Sequence, residues 1–491
     1  MLKYIVCCGM ALWLVHGAAR SRGGEIELSL GQSVERLREK NLSLQIADRA
    51  IDWARGEHRR VSSFWYPSVS VTGAYLHMAN RIEVEQPLSQ FTDPAKDFIH
   101  SILPDDQIIS GLLDHVGTYT LRFPLAPQDV ATIDANVTWP VFAGGKRIYA
   151  GRIGRTMVEV AEVNRAQVGA QMQTLLVESY FGLRLGMSVV EVREQTLRAL
   201  ERHYRDALKL EASGMINKAD RLFVEVSMDE ARRALESARK EGLDVAQSAL
   251  KALIRIDSAV DVRPVSPLFI NDTLPSPERF KALARDNSYA LNQLGLQSDA
   301  AENELRMSRT GYAPEIALFG KHTLYSHGIR KNLLPRTVVG AGFTWTLFDG
   351  LAREKKIAQA KIARQTLGLS SSQAEDDIDV GVDKLCAQIS NALSSVAALG
   401  TTIDLSRELV RMRRKAFAEG MATSTEVVDA EVMLSKVRIA VLLAYYEYDV
   451  ALANLLSLCG APERFERYSL CGRTESHLFG PDGLYGENEN D

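Results

Sequence analysis

Long apolar runs are what this 491-residue sequence most plainly lacks. Beyond the first twenty residues no stretch stays apolar for ~18 positions, so no transmembrane helix follows the N-terminus. Proline is absent from 141–263 and from 336–461, which leaves room for helices far longer than the ordinary ~12 residues. Neither charge sign dominates: 58 Lys+Arg face 62 Asp+Glu, so the basic surplus of a nucleic-acid binder is missing. Catalytic signatures are missing too. The nine histidines include no H-E-x-x-H, there is no G-x-S-x-G elbow and no G-x-x-x-x-G-K phosphate loop, and Cys459 and Cys471 lack the short spacing of a zinc knuckle. No catalytic residue, metal ligand or cofactor is assigned.

The N-terminus is different. Met1-Leu2-Lys3 gives a positive end, Tyr4 to Val15 is almost wholly apolar, and Gly17-Ala18-Ala19 offers small residues at a cleavage site: a secretory signal over 1–19, cut after Ala19. The run is too short for an uncleaved anchor across a ~30 Å hydrocarbon layer, and Cys7 and Cys8 lie too near the start for lipid attachment. Without Lys3 the balance is 57 Lys+Arg against 62 Asp+Glu, a formal −5, and three cysteines remain, Cys386, Cys459 and Cys471. Cys459 and Cys471 are spaced to close a small loop in an oxidising compartment; three unpaired thiols fit equally well. A secreted chain without a helical span is either soluble outside the inner membrane or inserted in an outer membrane as strands.

One phrase occurs twice. Thr138-Trp139-Pro140-Val141-Phe142-Ala143-Gly144-Gly145 returns 206 residues later as Thr344-Trp345-Thr346-Leu347-Phe348-Asp349-Gly350-Leu351. Alternating apolar residues run into each copy: Ala131, Ile133, Ala135, Val137, Trp139 and Val141 on one face, then Val339, Ala341, Phe343, Trp345 and Leu347. A proline-free stretch runs out of each, so both copies read as a strand turning into a helix. Upstream, a helical pattern over Ser29 to about Arg60 leads through Pro67 to a strand with Val69, Val71 and Tyr75 on one face. A second pattern over Pro277 to Arg309 leads through Pro314 to Ile316, Leu318 and Gly320.

The expected organisation is a first repeat over 20–264, holding a helix, a strand pair and a helical hairpin at 145–260. A second repeat spans 265–460, with its hairpin at 350–458, and a polar tail covers 461–491. Pro67 to Trp139 is 72 residues and Pro314 to Trp345 only 31, so the first half holds about 41 extra residues, read as an enlarged loop at 79–130. Both return arms carry heptads: Val427, Leu434, Val441, Tyr448 and Leu455 interleaved with Ala430, Val437, Ala444 and Ala451, and Met228, Leu235, Gly242, Ala249 and Ile256 interleaved with Val224, Ala231, Ala238, Val245 and Ala252.

Four amphipathic strands per chain cannot close a barrel, and open strand edges cannot face lipid, where each unpaired backbone group costs several kcal/mol. Three copies supply twelve strands, an even number within the range of outer-membrane barrels. The doubled strand-to-helix phrases, the doubled turns Gly214-Met215-Ile216-Asn217 and Gly420-Met421-Ala422-Thr423, and the signal together resemble the outer-membrane efflux proteins, the TolC-type channel-tunnels, over roughly residues 29 to 460. That resemblance implies an α+β, mainly α-helical chain. It further implies a homotrimer with a twelve-stranded outer-membrane barrel continuous with a long periplasmic α-helical barrel. Its role would be a passive exit duct for efflux or type I secretion, opened at the periplasmic tip by an adaptor and an inner-membrane pump. The rival reading is a structural or adhesive periplasmic coiled-coil protein.

The resemblance places sites as well. Glu426 and Asp429, three apart on one helical face, with Asp220 at the matching place of the first hairpin, become the pore constriction. The two turns become the adaptor-contacting tips, and Trp139, Phe142, Trp345 and Phe348 the aromatics at the membrane boundary. Ala422 and Phe417 depart from the family pattern, which implies a closed state held more by packing than by polar links.

Overall fold

The computed structural model describes residues 24–77, 86–87, 89–102, 107–117, 120–121, 129–327 and 335–475. The expected signal at 1–19 lies outside them. The first half runs β1 (Glu25–Leu28), α1 (Leu30–Lys40), α2 (Leu42–Ser62), β2 (Ser68–His77), β3 (Gln86–Pro87), α3 (Ser89–Ile102), α4 (Gln107–Gly117), β4 (Thr120–Leu121) and β5 (Asp129–Ala143), then α5 (Lys146–Ala212), α6 (Lys218–Ser237) and α7 (Asp244–Ile254). The second runs β6 (Asp261–Pro264), β7 (Phe269–Ile270), α8 (Pro277–Asn287), α9 (Tyr289–Arg309), β8 (Glu315–His327) and β9 (Thr337–Thr344). It closes with α10 (Ala352–Ala418), α11 (Ser424–Leu458), α12 (Phe465–Leu470) and β10 (Arg473–Thr474). The protein is an α+β chain, mainly helical.

The four long strands form one antiparallel sheet in the order β2-β5-β8-β9, and among the described residues no further strand pairs with β2 or β9, which form its open edges. Pairing fixes which residues share a face. Val69 lies opposite Val137 and Val71 opposite Ala135; Trp139 opposite Leu318 and Phe142 opposite Ile316; Leu318 opposite Ala341 and Ile316 opposite Phe343. One face is therefore apolar across all four strands and open to solvent in the single chain: Val69 is 70% exposed, Val339 78% and Phe343 75%. The other face carries Ser70, Thr72, Asp134, Asn136, Thr138, Lys321 and Thr323, with Lys321 paired to Asp134 at 2.8 Å. Near its helix-proximal end β5 bulges between Pro140 and Phe142. The extra residue makes Phe142, not Val141, the successor to Trp139 on the apolar face, and strict alternation could not foresee it. β9 ends at Thr344, so Trp345 and Leu347 follow the strand and do not extend it.

At the end of β5, Gly144 and Gly145 take φ of 59° and 89°; at the second junction Gly350 and Leu351 take 70° and 68°. Two consecutive left-handed residues turn each strand into a helix, a conformation glycine adopts at little cost. A Cβ on Gly144 would lie 2.7 Å from the Thr310 carbonyl oxygen, so this turn also needs glycine for the close approach of the second half.

The outgoing arms α5 and α10 are each 67 residues long, about 100 Å at ~1.5 Å per residue. Each expected upstream helix is split in two. Asn41 takes ψ 130° between α1 and α2, its side chain accepting from the amides of Ser43 and Leu44, and Ser288 takes ψ 126° between α8 and α9. Asn41 Nδ2 also donates to the Leu253 carbonyl at 3.1 Å, so the break ties the upstream helix to the first return arm.

The second return arm keeps its heptads: all nine seam positions from Val427 to Leu455 are buried. The first does not. A π-helical turn at Ala238–Leu243 inserts one residue between α6 and α7. Beyond it Val245 is 61% exposed and Ala249 and Ala252 face solvent, while Leu250 and Ile254 are fully buried and Leu243, Ala246 and Leu253 pack against the core. The seam expected at 242, 245, 249 and 252 thus runs one residue later.

The stretch 79–130, expected as a loop, contains α3, α4 and the short β3–β4 ladder among its described residues. Of 461–491, residues 461–475 pack back on the waist of the helices. There β1 pairs in parallel with β6, β10 pairs with β7, and Phe181, Phe269, Tyr448 and Phe465 interlock edge to face or tilted, with centroids 5.5 to 6.4 Å apart. Cys386, Cys459 and Cys471 are all unpaired, so Cys459 and Cys471 close no loop.

Candidate functional site

Both hairpins end on the same backbone device. Gly214 and Gly420 take φ of 76° and 73°. The Met215 amide donates to Leu210 O and the Met421 amide to Ala416 O, each at 2.8 Å, closing the last turn of each outgoing arm. Asn217 then caps α6 by accepting from the Asp220 amide at 2.9 Å, and Thr423 caps α11. The residues between are open: Met215 is 59% exposed, Met421 72%, Thr423 exposed, and Ile216 and Ala422 half-buried. A Cβ on Gly420 would sit 3.7 Å from Met215 Cε, so the two turns lie side by side and present one surface.

The three carboxylates assigned to a constriction occupy unequal positions. Glu426 completes a capping box, accepting from the Thr423 amide at 3.0 Å, and pairs with Arg413 at 3.2 Å. Asp429, one turn further along α11, is exposed; Asp220 sits half-buried in the first turn of α6 on the other hairpin. Glu426 thus works largely within its own hairpin, and Asp429 is the carboxylate that faces outward.

Behind the tips lies a polar network that the sequence reading missed. Glu431, 5% exposed, pairs with Arg414 at 2.6 Å; burial pushes its carboxyl up while Arg414 opposes. Arg221 bridges Glu211 and Glu225, each at 2.7 Å. His203 packs edge-on against Phe417 with centroids 4.5 Å apart; its Nε2 has no hydrogen-bond partner, and burial pushes its pKa down. Leu200, Ala207, Val224 and Val428 bury one another beside it and join the two hairpins. Phe417 therefore works by packing.

At the waist, Asp449 is wholly buried and accepts from the Phe269 amide at 3.4 Å; Glu475, 2% exposed, accepts from Arg184 at 2.9 and 3.0 Å. Burial raises the pKa of both, and raises Glu191 to about 7. At the sheet, the indole N–H of Trp139 donates to Trp65 O and that of Trp345 to Tyr312 O, both at 3.1 Å. The same bond fixes the same tryptophan at both junctions. Phe142 and Phe348 stand exposed beside them. Among the described residues no group of three or more His, Cys, Asp or Glu side chains could hold a metal ion, and no helix is long and apolar enough to cross a membrane.

Comparison with known proteins bears on this arrangement. The sequence pattern of the family described as outer membrane efflux protein matches residues 282–461, from α8 through α11. The alkaline protease secretion protein AprF of Pseudomonas aeruginosa is 26% identical over 314 residues, covering 59% of this chain; the chain spans 62% of that relative's length. The outer membrane protein VceC of Vibrio cholerae superposes with a TM-score of 0.66 at 15% identity, covering 88% of this chain and 96% of that one. CusC, whose structures concern folding and transmembrane channel formation, gives 0.70 at 15% identity over 88% and 92%. The fold is that of these two solved structures.

Proposed function

We propose, from the premise that the chain belongs to the outer membrane efflux protein family, that it is a passive exit duct of an efflux or secretion system, seated in the outer membrane with its helices in the periplasm. The observation that carries this reading is the sheet: one face apolar across four strands and exposed, the other polar, and both edges open. An apolar face of that extent suits lipid, and lipid does not tolerate open edges, so strands from further copies must close it. Three copies give twelve strands around a polar lumen, with the two halves of each chain serving as two copies of one strand-pair-and-hairpin unit. Trp139, Phe142, Trp345 and Phe348 then lie at the periplasmic boundary, and the insertion at 79–130 faces the cell exterior.

The helices of three chains continue the tube, and the paired tips at Gly214–Asn217 and Gly420–Thr423 meet a periplasmic adaptor acting with an inner-membrane pump. Near the tips Asp429, with Glu426 and Asp220 behind it, rings the narrowest passage and favours cations. A secretion relative such as AprF supports protein export as one cargo class, and the efflux family supports small solutes as another. A purely structural coiled-coil rod would have no use for the amphipathic sheet. Reconstitution into planar bilayers tests the reading: single-channel currents from the purified protein are expected, and a protein that binds bilayers without conducting would be the structural alternative.

A further inference from the structure

The two strand-to-helix junctions are built alike except in charge. At the second, the Arg353 guanidinium lies 4.9 Å from the Tyr312 ring centroid. Its Nε donates to Asp349 at 3.0 Å and its two terminal nitrogens to Gly311 O and Leu347 O at 2.9 and 3.1 Å. At the first, 206 positions earlier, Arg147 lies 5.2 Å from the Trp65 ring centroid, but Ala143 stands where Asp349 stands, and the buried Nη2 of Arg147 has no hydrogen-bond partner. Residues 143–152 hold Lys146, Arg147 and Arg152 and no acid, a formal +3. Residues 349–358 hold Arg353, Lys355 and Lys356 with Asp349 and Glu354, a formal +1. Around the first junction Phe64, Trp65, Tyr66 and Phe142 are exposed by 52, 50, 73 and 45%.

We propose that the first junction binds the phosphate of an anionic phospholipid, taken from the leaflet that the periplasmic helices meet. An uncompensated cation stacked on a ring attracts an anion, and the exposed aromatics flanking it, at the edge of an apolar sheet, suit the acyl chains that a free phosphate ion lacks. The second junction, which supplies its own carboxylate, takes no lipid. This inference rests on the membrane placement proposed above.

Native mass spectrometry of the full-length protein in detergent, titrated with phosphatidylglycerol or phosphatidylcholine, tests it. Wild type is expected to bind phosphatidylglycerol about fivefold more tightly, the preference one charge contact near a wet surface confers. Arg147→Gln and Ala143→Asp should each abolish most of that preference, the second by giving Arg147 the carboxylate that Arg353 has, while Arg353→Gln should leave it unchanged. Equal binding of the two lipids, or a preference insensitive to Arg147→Gln, would overturn the inference. So would full competition by inorganic phosphate, which would mark a simple ion site. Loss of oligomer heat resistance in Arg147→Gln with lipid preference intact would assign the cation to a carboxylate of a second copy, also overturning it. Failure of the protein to insert into vesicles of any composition would overturn the membrane placement as well, whereas insertion without headgroup preference would overturn this inference alone.

Discussion

The two return arms begin from matching turns and end in different environments. Nineteen of the 35 residues of α11 are buried, against five over α6 and α7 together, two in one and three in the other. α11 packs against both outgoing arms, α10 and α5, and so stands in the middle of the chain's helical layer; α6 and α7 lie at its margin. An unbroken heptad survives where both sides demand it. At the margin a π-helical turn is tolerated, which shifts the seam by one residue. A repeated pattern therefore sets where helices lie, and the number of neighbours decides how strictly its register is kept.

Deletions sharpen this contrast most. Removing Leu443, an exposed residue of α11, rotates everything downstream by ~100° and takes the seam from Ala444 to Leu455 off both partners; no folded, heat-resistant protein is expected. Removing Gly242 instead lets the π turn become ordinary α-helix while Leu235 upstream and Leu250 downstream keep their places. Folded protein is expected, with a loss of about 1 kcal/mol. Recovery of folded material and thermal unfolding of the two deletions would show the difference, and equal tolerance would contradict it.

Next in size is Arg414→Ala, which leaves the carboxylate of Glu431 buried without its partner. The cost is expected to be on the order of 2–3 kcal/mol, below that of a fully buried pair because Arg414 is partly solvated. Val245→Ser on the first arm, at a position the unshifted heptad would bury, should cost under about 0.5 kcal/mol.

Smaller than the loss at Arg414 is the effect on stability of replacing Glu426 and Asp429 by alanine. Loss of the capping box costs about 1 kcal/mol, while the channel should lose cation selectivity and block by multivalent cations. Reversal potentials in salt gradients would read this, and Glu426→Ala alone should weaken selectivity less than Asp429→Ala, because Arg413 already offsets Glu426.

Acid should act in opposite directions on tip and waist. His203 is held below its ordinary 6.5, so the unfolded chain binds the proton more readily, and the tip loses stability as pH falls below that value. At the waist burial raises Asp449, Glu475 and Glu191. The unfolded carboxyls are then the more ionised, and stability is gained as pH falls and lost as it rises, for Glu191 across about 4.5 to about 7. Amide exchange, corrected for its intrinsic pH dependence, should at pH 5.5 relative to 7.5 show less protection near Phe417 and more near Phe269. A shift of the same sign at both would contradict the assignment.

Much of the fold was legible. The doubled phrase, the glycines at 144, 145, 214, 350 and 420, and the proline gaps mark both junctions and both hairpins, because each signal is local: a backbone conformation or the absence of a breaker. The bulge at Val141, the breaks at Asn41 and Ser288 and the π turn before Asp244 were not legible, since each is an irregularity of one residue that leaves the apolar periodicity on either side almost unchanged. At the tips the turns and caps could be read, but the partners of Glu426 and Glu431 could not. Arg413 and Arg414 belong to the opposite arm, and only the superposition of the arms brings them near. Glu431 and Asp449 did leave a trace, as acids set one position after the seam residues Ala430 and Tyr448, away from the solvated face that carries Asp429 and Leu443.

The central claim is that the apolar, open-edged sheet of one chain is completed by others. The native mass of the folded protein in detergent, measured together with its strand content by circular dichroism, tests this most directly. Three chains per particle with the strand signal intact are expected. A single chain that keeps its strands would contradict the account, because β2 and β9 would then remain open in an apolar medium.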